Sequence, residues 1–324
     1  VNFEFHYYVV RWLAGKAGVD GPSADIMANS SQMVDASVDE IEVALGGGVL
    51  ELVPKTQDYA FWDQGTQADI YLPFHFFPGG GGGAARKDGL GNPWSVAPGA
   101  EPVKELLIGA LKTRDPYRIG IALHTYADSW AHQNFSPWLE DWNRLSSDDP
   151  IPPVGHAQAL KSPDMLDEEW DDARLVSPHV ANRPRWREAA EKMYKYLATF
   201  SGKGFGDFEL VMDRLESIWG RPGSKKREER IFDLIIDEPM PDYLRGEWHK
   251  KAGLAAFVPG ADKDSGYSRL GLLARKLLPK GSIRAAPSSE EAYLASDLRK
   301  WASAALAHRD EARRIASRLG PIPR

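Results

Sequence analysis

The stretch YRIGIALHTYADSWAHQNF, residues 117–135, places His124, Asp128 and His132 at two successive intervals of four. On an α-helix each step of four turns the side chain by about 40°, so all three project to one side. Tyr117, Tyr126, Trp130 and Phe135 surround them. A core-facing stripe at this spacing is ordinarily Leu, Ile or Ala. This one is ionisable and able to bind metal, so a chain that carries it has to fold around partners for those groups.

Helix geometry limits what the stripe can do. His124 and His132 are about 12 Å apart along the axis at about 1.5 Å per residue. Metal–nitrogen bonds are about 2.0–2.1 Å long, so the two histidines do not share an ion. Asp128 lies within reach of either. The economical reading is two metals or more along one helix, with the carboxylate serving or bridging one of them. The alternative is two buried, hydrogen-bonded histidines and a structural aspartate. Cysteine is absent from the chain, which excludes disulfides and thiolate sites and leaves nitrogen and oxygen as ligands.

Other candidates share the same character. His6 in FEFHYYVV and His75 in YLPFHFFP sit among aromatic residues. His156 follows a Pro-Pro-Val-Gly turn, where a helix is expected to start. Asp35 ends the small and apolar face of ANSSQMVDAS, where an unpaired charge is costly. Asp164 in KSPDM is a further acid. His179, His249 and His308 lie in charged surroundings and are expected on the surface. HExxH, His-Asp and ExxH motifs do not occur, which argues against zincin proteases, His-Asp phosphohydrolases and ferritin-like di-iron sites.

The chain reads as mostly helical. Helices are expected at 4–17, at 22–36 with Pro22 in the first turn, and at 101–113. Another is expected at 116–134, capped by Asp115. Further helices are expected at 184–200, 206–219 and 224–237. The last, beginning in SSEEAYLASDL, has Ser288 and Glu291 in capping-box relation and stops at Gly320-Pro321. ADIYLPFHFF reads as a short strand or an extended run, and residues 136–183 as long loops with a short helix. The glycine-rich loop at 79–92 lacks a GK[ST] ending and is not a phosphate-cradling loop.

A net charge of −6 without a long basic block gives no reason to expect nucleic acid as an obligatory partner. A run of about 18 apolar residues is missing, so a membrane span is not expected. No signal-peptide pattern heads the chain, so the expected location is the cytoplasm, with export left open.

GIALHTYADSWAHQNF resembles the central helix of the zinc-dependent phospholipase C superfamily, which includes single-strand nucleases and the heterokaryon-incompatibility (HET-C) branch. The chain also resembles a bacterial family with the same FHYY, SQxVD, PFHF and LHTYADSWAHQNF blocks. The resemblance covers about residues 1–165. It implies an all-α fold, a single multi-helix domain of the zinc-dependent phospholipase C type, with a metal-binding core at 1–200 and a helical C-terminal extension at 201–324. It also implies three zinc ions held by N-terminal backbone groups together with His6, Asp35, His75, His124, Asp128, His132 and His156. The four-residue interval between Asp128 and His132 follows the HET-C-like members. Leu160 stands where the superfamily has an acid four residues after the last histidine, and Asp164 is the candidate substitute.

The expected function is metal-dependent hydrolysis of a small-molecule or lipid phosphoester. Water activated by two or three zinc ions would be the attacking group, with His124 and Asp128 as the catalytic pair. The same ligand types also admit manganese, iron or nickel. The rival readings are a phosphatase or non-haem metal oxygenase on the same scaffold, and a non-catalytic interaction protein stapled by metals.

Overall fold

In the computed structural model, residues 1–58, 62–255 and 282–323 are described. Part of the expected C-terminal extension, residues 256–281, lies outside them.

The helical reading holds for most of the chain, but the protein is not strictly all-α. A π-helical segment, Glu4–Val9, runs directly into α1 (Val10–Lys16). Next comes α2 (Gly21–Ala36), whose Asp20 cap accepts from the Ser23 amide. Strands β1 (Ile41–Ala44) and β2 (Leu50–Val53) form an antiparallel hairpin with Ile41 opposite Val53. The short turn α3 (Gln64–Thr66) leads into a second π-helical segment, Gln67–His75. Helices α4 (Glu101–Thr113) and α5 (Pro116–Ala131) follow.

After a region of turns come β3 (Glu169–Asp171) and β4 (His179–Ala181), an antiparallel pair. The helices α6 (Asn182–Ser201), α7 (Phe208–Trp219), α8 (Arg227–Asp237) and α9 (Glu247–Lys251) are next. Strand β5 (Ile283–Ala285) then pairs in parallel with β1, completing a three-stranded sheet in the order β2-β1-β5. Helices α10 (Glu290–Ala295) and α11 (Asp297–Ala316) end the chain.

Three local expectations need correction. ADIYLPFHFF is neither a strand nor extended. Pro73 lies inside the π-helical segment, and the Phe76 amide reaches back five residues to the Tyr71 carbonyl at 2.7 Å. Wide i→i+5 turns of this kind gather at functional sites. The final helix is broken at Ser296, which caps α11 through the Arg299 amide, and Ser289 rather than Ser288 caps α10. The central helix stops at Ala131. His132 is its C-cap, and Asn134 in the left-handed region turns the chain away.

Helix α5 is the axis of the molecule. All its residues except Pro116 and Arg118 are buried, and α2, α4, α6 and α11 pack around it. Its closest neighbour is α2, admitted by Gly120. A Cβ added there would lie 2.2 Å from the Met27 carbonyl oxygen and 2.6 Å from Ser30 Cβ. This close approach brings Asp35, at the end of α2, beside His124 of α5, with 3.8 Å between Asp35 Oδ1 and His124 Nε2. Gly120→Ala is therefore predicted to force the two helices apart. Thermal or urea unfolding should show a loss on the order of 1–3 kcal/mol, the range for overpacking a close-packed core. Unchanged stability would mean that the crossing is looser than described.

Candidate metal centre

All eight acids and histidines singled out in the sequence come together. His6 belongs to the first π-helical segment and Asp35 to the end of α2. His75 ends the second π-helical segment, and His124 and Asp128 lie on α5. His156 and Asp164 come from two 3-10 turns in the loop region. They form three groups that could hold metal ions: His6 with His124 and Asp128, Asp35 with His75 and His124, and His132 with His156 and Asp164. Within each group the ligand atoms lie within 4.8 Å of one another. His124 and His132 fall in separate groups, as the helix geometry requires.

Asp128 is the hub. Its side chain is 1% exposed. Its carboxylate lies 3.2 Å from His6 Nε2, 3.3 Å from His75 Nδ1 and 3.3 Å from His124 Nε2. The nitrogen of Val1 is 2.6 Å from Asp128 Oδ1 and 3.1 Å from Asp164 Oδ1, so the chain start also faces this centre. Asp164 sits 3.1 Å from His132 Nε2 and 3.3 Å from His156 Nε2. It joins the cluster although Leu160 stands at the position four after His156.

Backbone carbonyls orient three of the rings. His75 Nε2 donates to Thr56 O at 2.9 Å, His132 Nδ1 to His75 O at 2.8 Å, and His156 Nδ1 to Leu160 O at 2.8 Å. A neutral ring whose proton is used in this way presents a lone pair from its other nitrogen. In His132 and His156 the other nitrogen faces the Asp164 carboxylate, at 3.1 and 3.3 Å. With both rings neutral, the two nitrogens and the carboxylate form a set of acceptors for a cation. Ring orientation by a carbonyl on the far nitrogen is also how metal-ligating histidines are held. Both ring nitrogens of His6 are buried without a hydrogen-bond partner, and its Nε2 is out of line for a bond to Asp128. His124 Nδ1 is likewise unpartnered. The donor set, imidazole and carboxylate without sulfur, suits zinc and neighbouring divalent ions.

Packing fixes these positions. Phe76 stacks on His132 at 4.6 Å between centroids and 21° between planes. The Phe76 ring also fills the space beside Gly155, where φ is +47° and an added Cβ would meet it at 2.5 Å. Gly155 is thus required for the turn that presents His156. Asn182 holds the turn carrying Asp164 by donating to Ser162 O at 2.5 Å and Met165 O at 2.8 Å.

Two histidines expected on the surface are buried, whereas His179, at 65% exposure, is where it was expected. His308 is fully buried, with Nε2 at 3.0 Å from Pro73 O and 3.2 Å from Thr125 Oγ1. It braces the π-helical segment that ends in His75. Its signal was the apolar stripe Leu298, Trp301, Ala305, His308, Ala312 and Ile315, which the surrounding charges obscured. His249 is buried beside Trp248.

Charge and burial oppose one another here. Burial pushes the Asp128 and Asp164 carboxyls up, but the nearby histidines and the Val1 nitrogen hold both well below the usual carboxylate range. Burial lowers His6, His156 and His249 to about 4, and His308 to about 3, from an ordinary 6.5. For His75 burial also acts downward, but hydrogen bonding to Asp128 and the charge of Asp35 raise it.

These shifts predict an acid-labile apoprotein. The four lowered histidines stay neutral in the fold but take up protons below 6.5 once unfolded. The unfolded chain therefore binds more protons between 6.5 and about 4, and stability is lost as pH falls through that window. His75 acts in the opposite direction, one against four. The urea midpoint of chelator-treated protein should fall steadily from pH 6.5 to 4, and a flat profile would contradict the buried neutral histidines.

A family model described as a family of unknown function (DUF6765) matches residues 1–315. Neither a curated protein nor a solved structure matches the chain. A match over nearly the whole length shows that the chain belongs to the DUF6765 family.

Proposed function

We propose that the chain is a metal-dependent hydrolase of phosphoesters, similar to phospholipase C, holding two or three zinc ions. The observation that supports this reading is the convergence of five buried histidines and three carboxylates into three groups whose ligand atoms lie within 4.8 Å of one another. In this reading His6 and Asp128 would hold one ion, Asp35 and His75 would hold a second, and His124, whose Nε2 has a single lone pair, would serve one of the two. His132, His156 and Asp164 hold a third.

When bound, such ions acidify water enough to supply hydroxide near neutral pH and offset charge on phosphoryl oxygens. The protein's own residues do the positioning. Asp128 would orient the rings, since its carboxylate is close to His6, His75 and His124 at once. The carbonyls of Thr56, His75 and Leu160 keep three rings from rotating. Asp35, at 27% side-chain exposure, is the member of the cluster that meets solvent, so substrate approaches from its side. Without cysteine a thiolate nucleophile is unavailable, and in this reading activated water is the attacking group.

The depth of burial favours a second reading, in which the metals only staple the fold. The two readings separate in an assay. Zinc-loaded protein would be offered a chromogenic phosphodiester, a phosphomonoester, a phospholipid headgroup ester and single-stranded nucleic acid, each with and without chelator. The hydrolase reading predicts turnover of at least one of them, abolished by chelator and restored by zinc. It also predicts a loss of more than about 100-fold in Asp128→Asn, beyond what removal of an outer partner usually costs. Metal-loaded protein that turns over none of them would leave the staple.

A further inference from the structure

Asp35 belongs to two environments. One side of its carboxylate faces His75 and His124 at 3.9 and 3.8 Å. It also lines a cavity of about 200 Å³ with Phe3, Gln32, Arg227, Tyr243 and Arg245. We propose that this cavity is an oxyanion subsite of the metal centre, receiving a phosphate group of the substrate between Arg227, Arg245 and the metals. The inference rests on the phosphoesterase reading and adds the residues that recognise the substrate's charge.

Charge supports it first. The cavity wall carries two guanidiniums and one carboxylate. Once Asp35 is committed to metal, the two guanidiniums are the charged groups left in the cavity lining. Guanidinium forks match the spacing of phosphate oxygens and bind them by paired hydrogen bonds. Arg227 lies in the first turn of α8 with 31% of its side chain exposed, so it can reach a ligand without unfolding the helix. Gln32, 3% exposed on α2, has a buried Oε1 without a hydrogen-bond partner, and its amide nitrogen can turn toward an anion.

Size and shape narrow the ligand. Pockets for drug-sized molecules run about 300–1,000 Å³. A cavity of about 200 Å³ suits a phosphate with few further atoms. Phe3 and Tyr243, edge to face at 5.4 Å, make the apolar wall and are set by the N-terminal helix that carries His6. Tyr243 packs on Tyr7 at 5.2 Å, and its amide donates to Tyr8 Oη at 3.5 Å. The N-terminal segment that carries His6 therefore also sets the apolar wall of this cavity.

The test is binding of inorganic phosphate to the zinc-loaded full chain, measured by calorimetry at fixed salt beside metal analysis of every sample. Arg227→Gln and Arg245→Gln should each weaken phosphate binding at least tenfold while leaving zinc content unchanged. Arg227→Lys, which keeps charge but not the fork, should fall between Arg227→Gln and the parent. If Arg245→Gln fails to fold, Arg227→Gln decides alone. Phosphate affinity within twofold of the parent in the Gln variants, or no phosphate binding by the parent, overturns the subsite. The measurement needs no turnover. A protein that binds phosphate through these arginines yet hydrolyses nothing retains the subsite and loses the hydrolase reading. Turnover with arginine-independent phosphate binding does the reverse.

Discussion

Asp128 is a carboxylate with 1% of its side chain exposed, set near the C-terminal end of α5, where all but two residues are buried. A buried charge without compensation costs several kcal/mol, so its position dictates what surrounds it. His6, His75, His124 and His132 approach from three separate segments, all within 3.6 Å of its oxygens. The fold can be understood as the means of delivering them. Gly120 admits α2, two π-helical segments aim His6 and His75 inward, and a left-handed Asn134 sends the chain toward His156 and Asp164.

A second layer of polar contacts keeps this delivery accurate. Glu4, two residues before His6, is fully buried and makes a bidentate pair with Arg230 of α8 at 2.7 Å for both bonds. Arg230 also reaches Asp167, three residues after Asp164. One arginine thus links the segments that carry His6 and Asp164. On the other side, His308 of α11 ties the C-terminal helix to Pro73 and so to His75. Removing one partner from such buried networks leaves the other unsatisfied, which is why the effects should be larger than the bonds themselves.

The sequence was most legible where chemistry and periodicity coincide. The intervals of four on α5 and the aromatic settings of His6 and His75 identified side chains that converge in space. Asp164 stood out in KSPDM only as a further acid and took a role through the resemblance, because no local pattern links it to His156. The π-helical turns were not legible: Pro73 argues against a helix by ordinary rules, and the wider turn that accommodates it depends on tertiary packing. The sheet was hidden for another reason. Its strands are three or four residues long, and β1 pairs with β5 across most of the chain. His308 was misread because Arg309, Asp310 and Glu311 beside it look like a solvated face, although the helical stripe that buries it was present.

The claim on which everything else depends is that cations lie between these imidazoles and carboxylates. Anomalous diffraction from crystals of zinc-supplemented protein, recorded on both sides of the zinc absorption edge, addresses it directly. The account predicts two or three peaks, one of them within about 2.0–2.2 Å of His132 Nε2, His156 Nε2 and Asp164, with the others beside Asp128. Well-ordered side chains without any peak, satisfied instead by water or by protonated histidines, would contradict it.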